Sequence, residues 1–260
     1  MSAVSYLRDR DVAEIVLNRP HKRNALREQD VAQLRSAVLA SVAGLAPPRA
    51  VLIRAEGPTF CAGRDLAEAA PGAEDGGAIL RDIFNPLIAE VAELDVPTIA
   101  AVQGAAVGAG LGLALACDLV VAAESARFGS PFGRIGAVTD SGAHRFLLDR
   151  IGPARTLELI YTGRMLSGRE AADAGLVTMC VPDSQLADRA RQLAAEIGSG
   201  PTVAFALSKR LLRQVRDSAF PLSEVLDAEA RAQTDACRTS DYKAGIRAFL
   251  DKVPVSFTGR

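Results

Sequence analysis

Apolar and polar positions alternate along this chain in a way that predicts short buried strands separated by helices. Residues 4–8 and 12–17 alternate or run apolar on either side of Arg8-Asp9-Arg10-Asp11, which predicts an N-terminal hairpin. Asn18-Arg19-Pro20 is a turn signal. The helical spacing of Val31, Leu34, Val38, Leu39 and Val42 then predicts a helix closed by Pro47-Pro48, and residues 50–54 read as a buried strand. In PTIAAVQGAAVGAGLGLALACDLVV (97–121), Thr98 to Val102 predicts a second buried strand. Gly104, Gly108, Gly110 and Gly112 open a helix whose body, Leu111 to Ala116, is apolar all round, and Leu119 to Ala122 reads as a third strand. From Pro153 the pattern is mostly helical: helix, turn, short helix and strand over 154–182, then helices near 184–197, 202–216, 221–237 and 241–251. The apolar stripes of these last helices are expected to face the core and neighbouring subunits.

A buried helix that begins at a glycine-rich turn leaves its first N–H groups without intrahelical partners and turns its positive dipole end to whatever lies there. That favours an anion. A dinucleotide fingerprint would need glycine at 113, where the chain has Leu113, and no Gly-Lys-Ser/Thr phosphate loop occurs. On this stretch alone, glycines that only permit tight helix packing remain the alternative reading. A second turn follows the strand at 50–54: Ala55-Glu56-Gly57-Pro58-Thr59-Phe60-Cys61-Ala62-Gly63-Arg64-Asp65-Leu66. Two such turns, each at the end of a buried strand, can place one N–H apiece around a single oxygen and stabilise charge developing there.

Composition narrows the classes. With 260 residues, 49% hydrophobic, and a formal charge of −1, the chain can bury a sizeable core in one large domain, with or without an appendage, and has no general attraction to nucleic acid. Cys61, Cys117, Cys180 and Cys237 are widely scattered, and His21 and His144 are the two histidines. No metal site and no disulfide framework is expected, and the setting expected is reducing and cytoplasmic. The N-terminal MSAVSYLRDRD has no apolar signal core and the most apolar stretch is broken by glycines, so neither secretion nor a membrane span is expected. The loop His21-Lys22-Arg23-Asn24 carries up to three positive charges, either solvated or set to meet phosphate.

NRPHKRNAL (18–26), FCAGRDL (60–66), PTIAAVQGAAVGAGLGLALACDLVVAAESARFG (97–129) and GIRAFLDKVPVSFTGR (245–260) together resemble the enoyl-CoA hydratase/isomerase family, the crotonase superfamily, in register over essentially the whole chain. The resemblance implies an α/β fold, a ClpP/crotonase-like spiral of ββα units. It implies a core over 1–195 that holds a CoA-thioester site, a helical trimerisation region over 196–260, and a homotrimer or homohexamer. It implies an acyl-CoA partner, with coenzyme A arriving as part of the substrate and no separate cofactor. The thioester oxygen would be held by the backbone N–H groups of Arg64 and Ala109, the latter often glycine in the family. Lys22, Arg23 and Ala25 fall in the segment that runs along the CoA nucleotide in relatives. Ala62, Asp65 and Leu66 fall where relatives contact the pantetheine or acyl chain, although Leu66 reads equally as core. Phe249 and Lys252 lie in a terminal segment that approaches the CoA site in some relatives.

The acids depart from the hydratase pattern. Hydratases resembling this chain carry two glutamates that position and deprotonate water. At the corresponding positions this sequence has Gly112 and Phe132, neither able to transfer a proton. Asp140 remains nearby. It reads either as the N-cap of a helix running to Leu148 or as the counterpart of an aspartate that acts on substrate in certain enoyl- and dienoyl-CoA isomerases, and as nucleophile in a related aryl-CoA dehalogenase. The expected activity is double-bond isomerisation through an enolate, with Asp140 as acid and base and Phe132 excluding water. Nucleophilic use of Asp140, an atypical hydratase and a non-catalytic binding module are the alternatives. His144 lies four residues after Asp140 and could share its proton or be structural. Ser141 has no G-x-S-x-G elbow around it. GAEDGG (72–77) reads as a flexible loop beside the acyl pocket.

Overall fold

The hairpin forms as the alternation predicts. In the computed structural model β1 (Val4–Asp9) and β2 (Val12–Leu17) pair antiparallel, with Val4 opposite Leu17. The structure describes residues 2–70, 72–218 and 220–260, apart from the Glu68 side chain. In α1 (Glu28–Ala40) the stripe Val31, Leu34 and Val38 is buried, but Leu39 is 57% exposed and Val42 38% exposed. The helix stops well before Pro47-Pro48. Ser41, fully buried, ends it by donating its hydroxyl to the Val38 carbonyl and its N–H to the Ala37 carbonyl, so the two later apolar positions fall outside the buried stripe.

A repeating path follows. After β3 (Ala50–Ala55) come α2 (Gly76–Ile79) and α3 (Asn85–Glu93), joined by a π-turn over Leu80–Phe84. Next are β4 (Thr98–Val102), β5 (Ala105–Val107), α4 (Ala109–Ala116), β6 (Leu119–Ala123) and β7 (Arg127–Gly129). Then come α5 (Ala143–Thr162), β8 (Leu166–Ser167), α6 (Gly168–Asp173) and β9 (Met179–Val181). The strands form a six-stranded sheet, ordered β1-β2-β3-β4-β6-β9, and a three-stranded sheet, β5-β7-β8, between which the chain alternates from β4 to β7. This is the expected spiral of ββα units. From β2 to β9 the large sheet is parallel, which requires cover on both faces and explains the continuous apolar runs.

One face packs on α1, α3, α4 and α5 around Phe60, Phe84, Phe128, Leu111 and Leu113, all essentially inaccessible; each phenylalanine contributes roughly 2 kcal/mol by leaving water. The other face, with Val12, Leu52, Ile99 and Val121, is covered by Leu186, Ala190 and Ala194 of α7 (Leu186–Gly198). The spiral's centre is α4, buried at all eight residues. A helix following Asp140 and running to Leu148, and another after Pro153, are expected from the sequence; the structure has α5 with a break inside it. Gly152, at φ 75° and ψ 171°, takes the bend that Pro153, lacking an N–H, demands.

Beyond α7, the helices α8 (Thr202–Asp217), α9 (Leu222–Cys237) and α10 (Ser240–Asp251) carry few buried side chains, Ala228, Asp241 and Ala248 among them. The C-terminal tail ties them back. Asp241 accepts from the N–H groups of Thr258 and Gly259, and Arg49 donates to the Phe257 carbonyl, the Gly200 carbonyl and the Thr202 hydroxyl. Among the described residues no helix is long and apolar enough to cross a membrane.

Candidate active site

The two glycine turns meet. Phe60 and Cys61 donate to the carbonyls of Gln103 and Ala105, and Val107 donates back to Cys61, at 2.7, 2.9 and 3.0 Å, so the FCAGRDL segment runs strapped beside β5. Gly63, at φ 90°, is one point of close approach. A Cβ there would lie 2.8 Å from the Val107 oxygen and 3.6 Å from the Ala109 nitrogen. Gly110 is held by the same contact, since its Cβ would meet the Cys61 oxygen at 2.3 Å. Both glycines are therefore required by the approach of one turn to the other.

Backbone direction follows from the neighbouring strap. Leu26 donates to the Gly63 carbonyl at 2.8 Å and accepts from Asp65 at 2.9 Å. In a parallel bridge of this kind the residue between, Arg64, turns its own N–H to the opposite side. Ala109 is the first residue of α4, so its N–H has no partner four residues back, and the first intrahelical bond is Gly112 to Gly108 at 3.0 Å. Gly108 caps this turn at φ 52°.

Two further residues rest on the same helix face. A Cβ on Gly108 would lie 2.8 Å from Cζ of Phe132, and one on Gly112 would lie 2.2 Å from the carbonyl oxygen of Ser141 and 2.6 Å from its Cβ. Gly108 and Gly112 are four apart, so the Phe132 ring and the 140–141 backbone are neighbours over the first turn of α4. The space a side chain at 112 would need is thus filled by another stretch of main chain.

Asp140 stands in that stretch, half-buried, between buried Thr139 and Ser141. It is not the helix cap: Gly142 occupies that position, and the Asp140 carboxylate makes no bond to the helix N-terminus. Instead Oδ1 accepts the Ser141 hydroxyl at 2.9 Å. Burial pushes the Asp140 carboxyl above the ordinary 3.8, against the opposing pull of the Ser141 hydroxyl and the charge of His144, which is itself exposed. A carboxylate raised by desolvation beside a turn of backbone donors is suited to taking a proton from a carbon acid.

The cationic loop lies along the strap. Ala62 donates to the Arg23 carbonyl at 3.1 Å, which brings Arg23, Ala25 and Leu26 alongside 62–65. Lys22 and Arg23 point their charges from exposed positions, and Ala25 and Ala62 are half-buried. Asp65 is used within the fold, pairing with Arg19 at 3.3 Å and accepting from the Ala67 N–H at 3.2 Å. Leu66 is 61% exposed and so is not core. Phe249 and Lys252 end α10, which packs on α9.

Sequence reasoning assigned nothing to two residues that shape this site. Buried Asn24, at φ 53°, accepts from the Arg19 N–H and donates to the carbonyls of Glu56 and Thr59 at 2.9 and 2.7 Å, fixing the cationic loop to the strand-end turn. An asparagine in a turn is the available signal, since it tolerates the left-handed region. Glu74 forms a two-point pair with the Arg64 guanidinium at 2.9 and 2.8 Å and accepts from the Ala70 N–H, so the GAEDGG segment is clasped to the FCAGRDL turn.

The sequence model of the enoyl-CoA hydratase/isomerase family matches residues 8–260. The 1,2-epoxyphenylacetyl-CoA isomerase of Escherichia coli is 36% identical over 257 residues, covering 97% of each chain. The 2,3-dehydroadipyl-CoA hydratase of the same organism is 35% identical over 260 residues, covering both chains in full. A crystal structure of enoyl-CoA hydratase from Bacillus anthracis superposes with a TM-score of 0.91 at 30% identity, covering 99% of this chain and 100% of that one. With the match running through both glycine turns, the spiral and the C-terminal helices, the chain belongs to the enoyl-CoA hydratase/isomerase family of the crotonase superfamily.

Proposed function

We propose that this enzyme moves a carbon–carbon double bond in an acyl-CoA thioester, with Asp140 as the single acid/base. The backbone N–H groups of Arg64 and Ala109 hold the thioester oxygen, while Lys22, Arg23 and Ala25 follow the CoA nucleotide. Ala62, Asp65, Leu66 and Phe132 border the path of the acyl arm. When a 3-enoyl thioester binds, the Asp140 carboxylate removes a proton from the carbon next to the carbonyl. The C–H electron pair spreads into a dienolate whose oxygen the two N–H groups stabilise. The protonated Asp140 then returns that proton to the far carbon, and the double bond becomes conjugated with the carbonyl.

The observation that carries this reading is the seat of Ser141 on Gly112, which leaves no space for a glutamate at 112 and brings the 140–141 segment onto the first turn of α4. Phe132, where the second hydratase glutamate would stand, covers Gly108 with a ring. Two-carboxylate activation of water has no groups to use here. The relative named as an isomerase of an epoxy-CoA ester supports isomerisation of a CoA thioester, and the relative named as a hydratase marks the reaction to be tested against it.

A homotrimer or homohexamer belongs to the same proposal. Leu222, Leu226, Phe249 and Leu250 of the last helices leave large apolar side chains at the surface, which supports burial against other subunits. A cytoplasmic setting is proposed on the free thiols of Cys61, Cys117, Cys180 and Cys237. The test is product analysis with 2-enoyl and 3-enoyl CoA esters. Interconversion of the two, abolished in Asp140→Asn while CoA-ester binding persists, is expected; formation of 3-hydroxyacyl-CoA as the main product overturns the reading.

A further inference from the structure

Among the described residues, Ser141 is one of five non-glycine residues in the left-handed region, at φ 54°, and it is 2% exposed. A side chain in that conformation costs about 1–2 kcal/mol relative to glycine. Gly142, which follows at φ 77° under the Phe146 ring, is a glycine in the same region of backbone space. Position 141 nevertheless has a serine. Its Cβ and carbonyl are packed on Gly112, and its hydroxyl is given to Asp140 Oδ1 at 2.9 Å. Strain kept at a buried polar residue beside a reactive group is a sign of use rather than of accident.

We propose that Ser141 is the positioning residue of the site: seated on Gly112, it holds one oxygen of the Asp140 carboxylate and sets the other toward the proton to be moved. The inference rests on the reading of Asp140 as the acid/base. The contact joins the two halves of the chemistry, because the helix that supplies the Ala109 N–H also carries Gly112, three residues on. The carboxylate and the oxyanion donor are thereby kept in register by main-chain packing. The hydroxyl also stabilises the ionised carboxylate, so it limits how far burial lifts the carboxyl. The charged neighbour on the facing element α5 is His144; α4, the element beneath, carries no titratable side chain, and Arg134 of the preceding turn donates to the Gly163 carbonyl.

The test uses Ser141→Ala and Ser141→Gly in the full-length enzyme. Two readouts are taken: titration of the Asp140 carboxyl by carbon-13 NMR of labelled aspartate, assigned by its loss in Asp140→Asn, and the pH profile of double-bond migration in a 3-enoyl-CoA ester. Both variants lack the hydroxyl, and Ser141→Gly relieves the backbone strain, so its fold is secure where the alanine variant's is in question. Both are expected to raise the carboxyl titration and the acid limb of kcat by roughly one pH unit or more, and to lower kcat at least several-fold with KM little changed. An unchanged titration and acid limb in Ser141→Gly overturns the inference, whatever happens to thermal stability. Migration retained in Asp140→Asn instead overturns the reading on which it rests.

Discussion

Gly112 and Ser141 touch main chain to main chain: a side chain of any kind at 112 would begin 2.2 Å from the Ser141 carbonyl oxygen. In a helix that is apolar and buried at every residue, this contact fills the space beside position 112 with backbone from outside the helix. The consequence reaches beyond packing. The segment so positioned carries Asp140, the single acid/base of the proposed reaction.

Gly112→Ala is therefore expected to displace the 140–142 turn and to cost about 2 kcal/mol of stability by overpacking, with catalysis falling by a larger factor than CoA-ester affinity. Gly112→Glu is expected to gain no hydratase activity, because the added side chain has no space to enter. Urea unfolding and product analysis of the two variants check this, and a hydration product from Gly112→Glu contradicts it.

The Arg64 guanidinium ties the FCAGRDL turn to a surface loop through Glu74. Glu74 lies within the GAEDGG segment that sequence composition marks as flexible, and Asp75 beside it caps α2 by accepting from the Gly77 and Ala78 N–H groups. Glu74→Gln is expected to raise KM for acyl-CoA esters while leaving kcat and thermal stability nearly unchanged. Steady-state kinetics and a thermal melt measure this. A loss confined to kcat would mean that the clasp acts on the oxyanion turn rather than on the loop.

Beneath the cationic loop, Asp30 is 1% exposed and pairs with Arg19 and Arg27, each at 2.8 Å. Burial alone would raise its carboxyl; the hydrogen bonds from Arg27 and the charge of Arg19 outweigh it and hold it below the ordinary 3.8. A carboxylate lowered in the folded state contributes its stability above the unfolded value, and that contribution is lost as pH falls through the folded value. Asp30→Asn is expected to cost about 3 kcal/mol at neutral pH, with the deficit shrinking below pH 3.8. Denaturant titrations of both proteins across that range test the sign; a deficit independent of pH contradicts it.

Much of the fold was legible because parallel strands buried on both faces leave unbroken apolar runs, as in Ala50–Ala55 and Thr98–Val102. The glycine turns were legible for the same reason that they exist, close approach of backbone. Leu39 and Val42 misled because apolar spacing does not say where a helix ends, and buried Ser41 does that through a hydroxyl bond. Asp140 left two readings open, since a carboxylate shortly before a helix has the same sequence signature as a cap. Gly142, which takes the cap position, separates them only once the turn is seen in space. Asn24 and Glu74 were illegible because each acts on groups far along the chain, Asn24 on Glu56 and Thr59, Glu74 on Arg64.

The most direct measurement is deuterium incorporation from D₂O into a 3-enoyl-CoA ester and its 2-enoyl product, compared between the native enzyme and Asp140→Asn. A single acid/base predicts exchange accompanied by double-bond migration in the native enzyme, with both lowered roughly a thousandfold in the variant while ester binding survives. Exchange that persists at the native rate in Asp140→Asn, or binding with no exchange in either protein, would contradict the account.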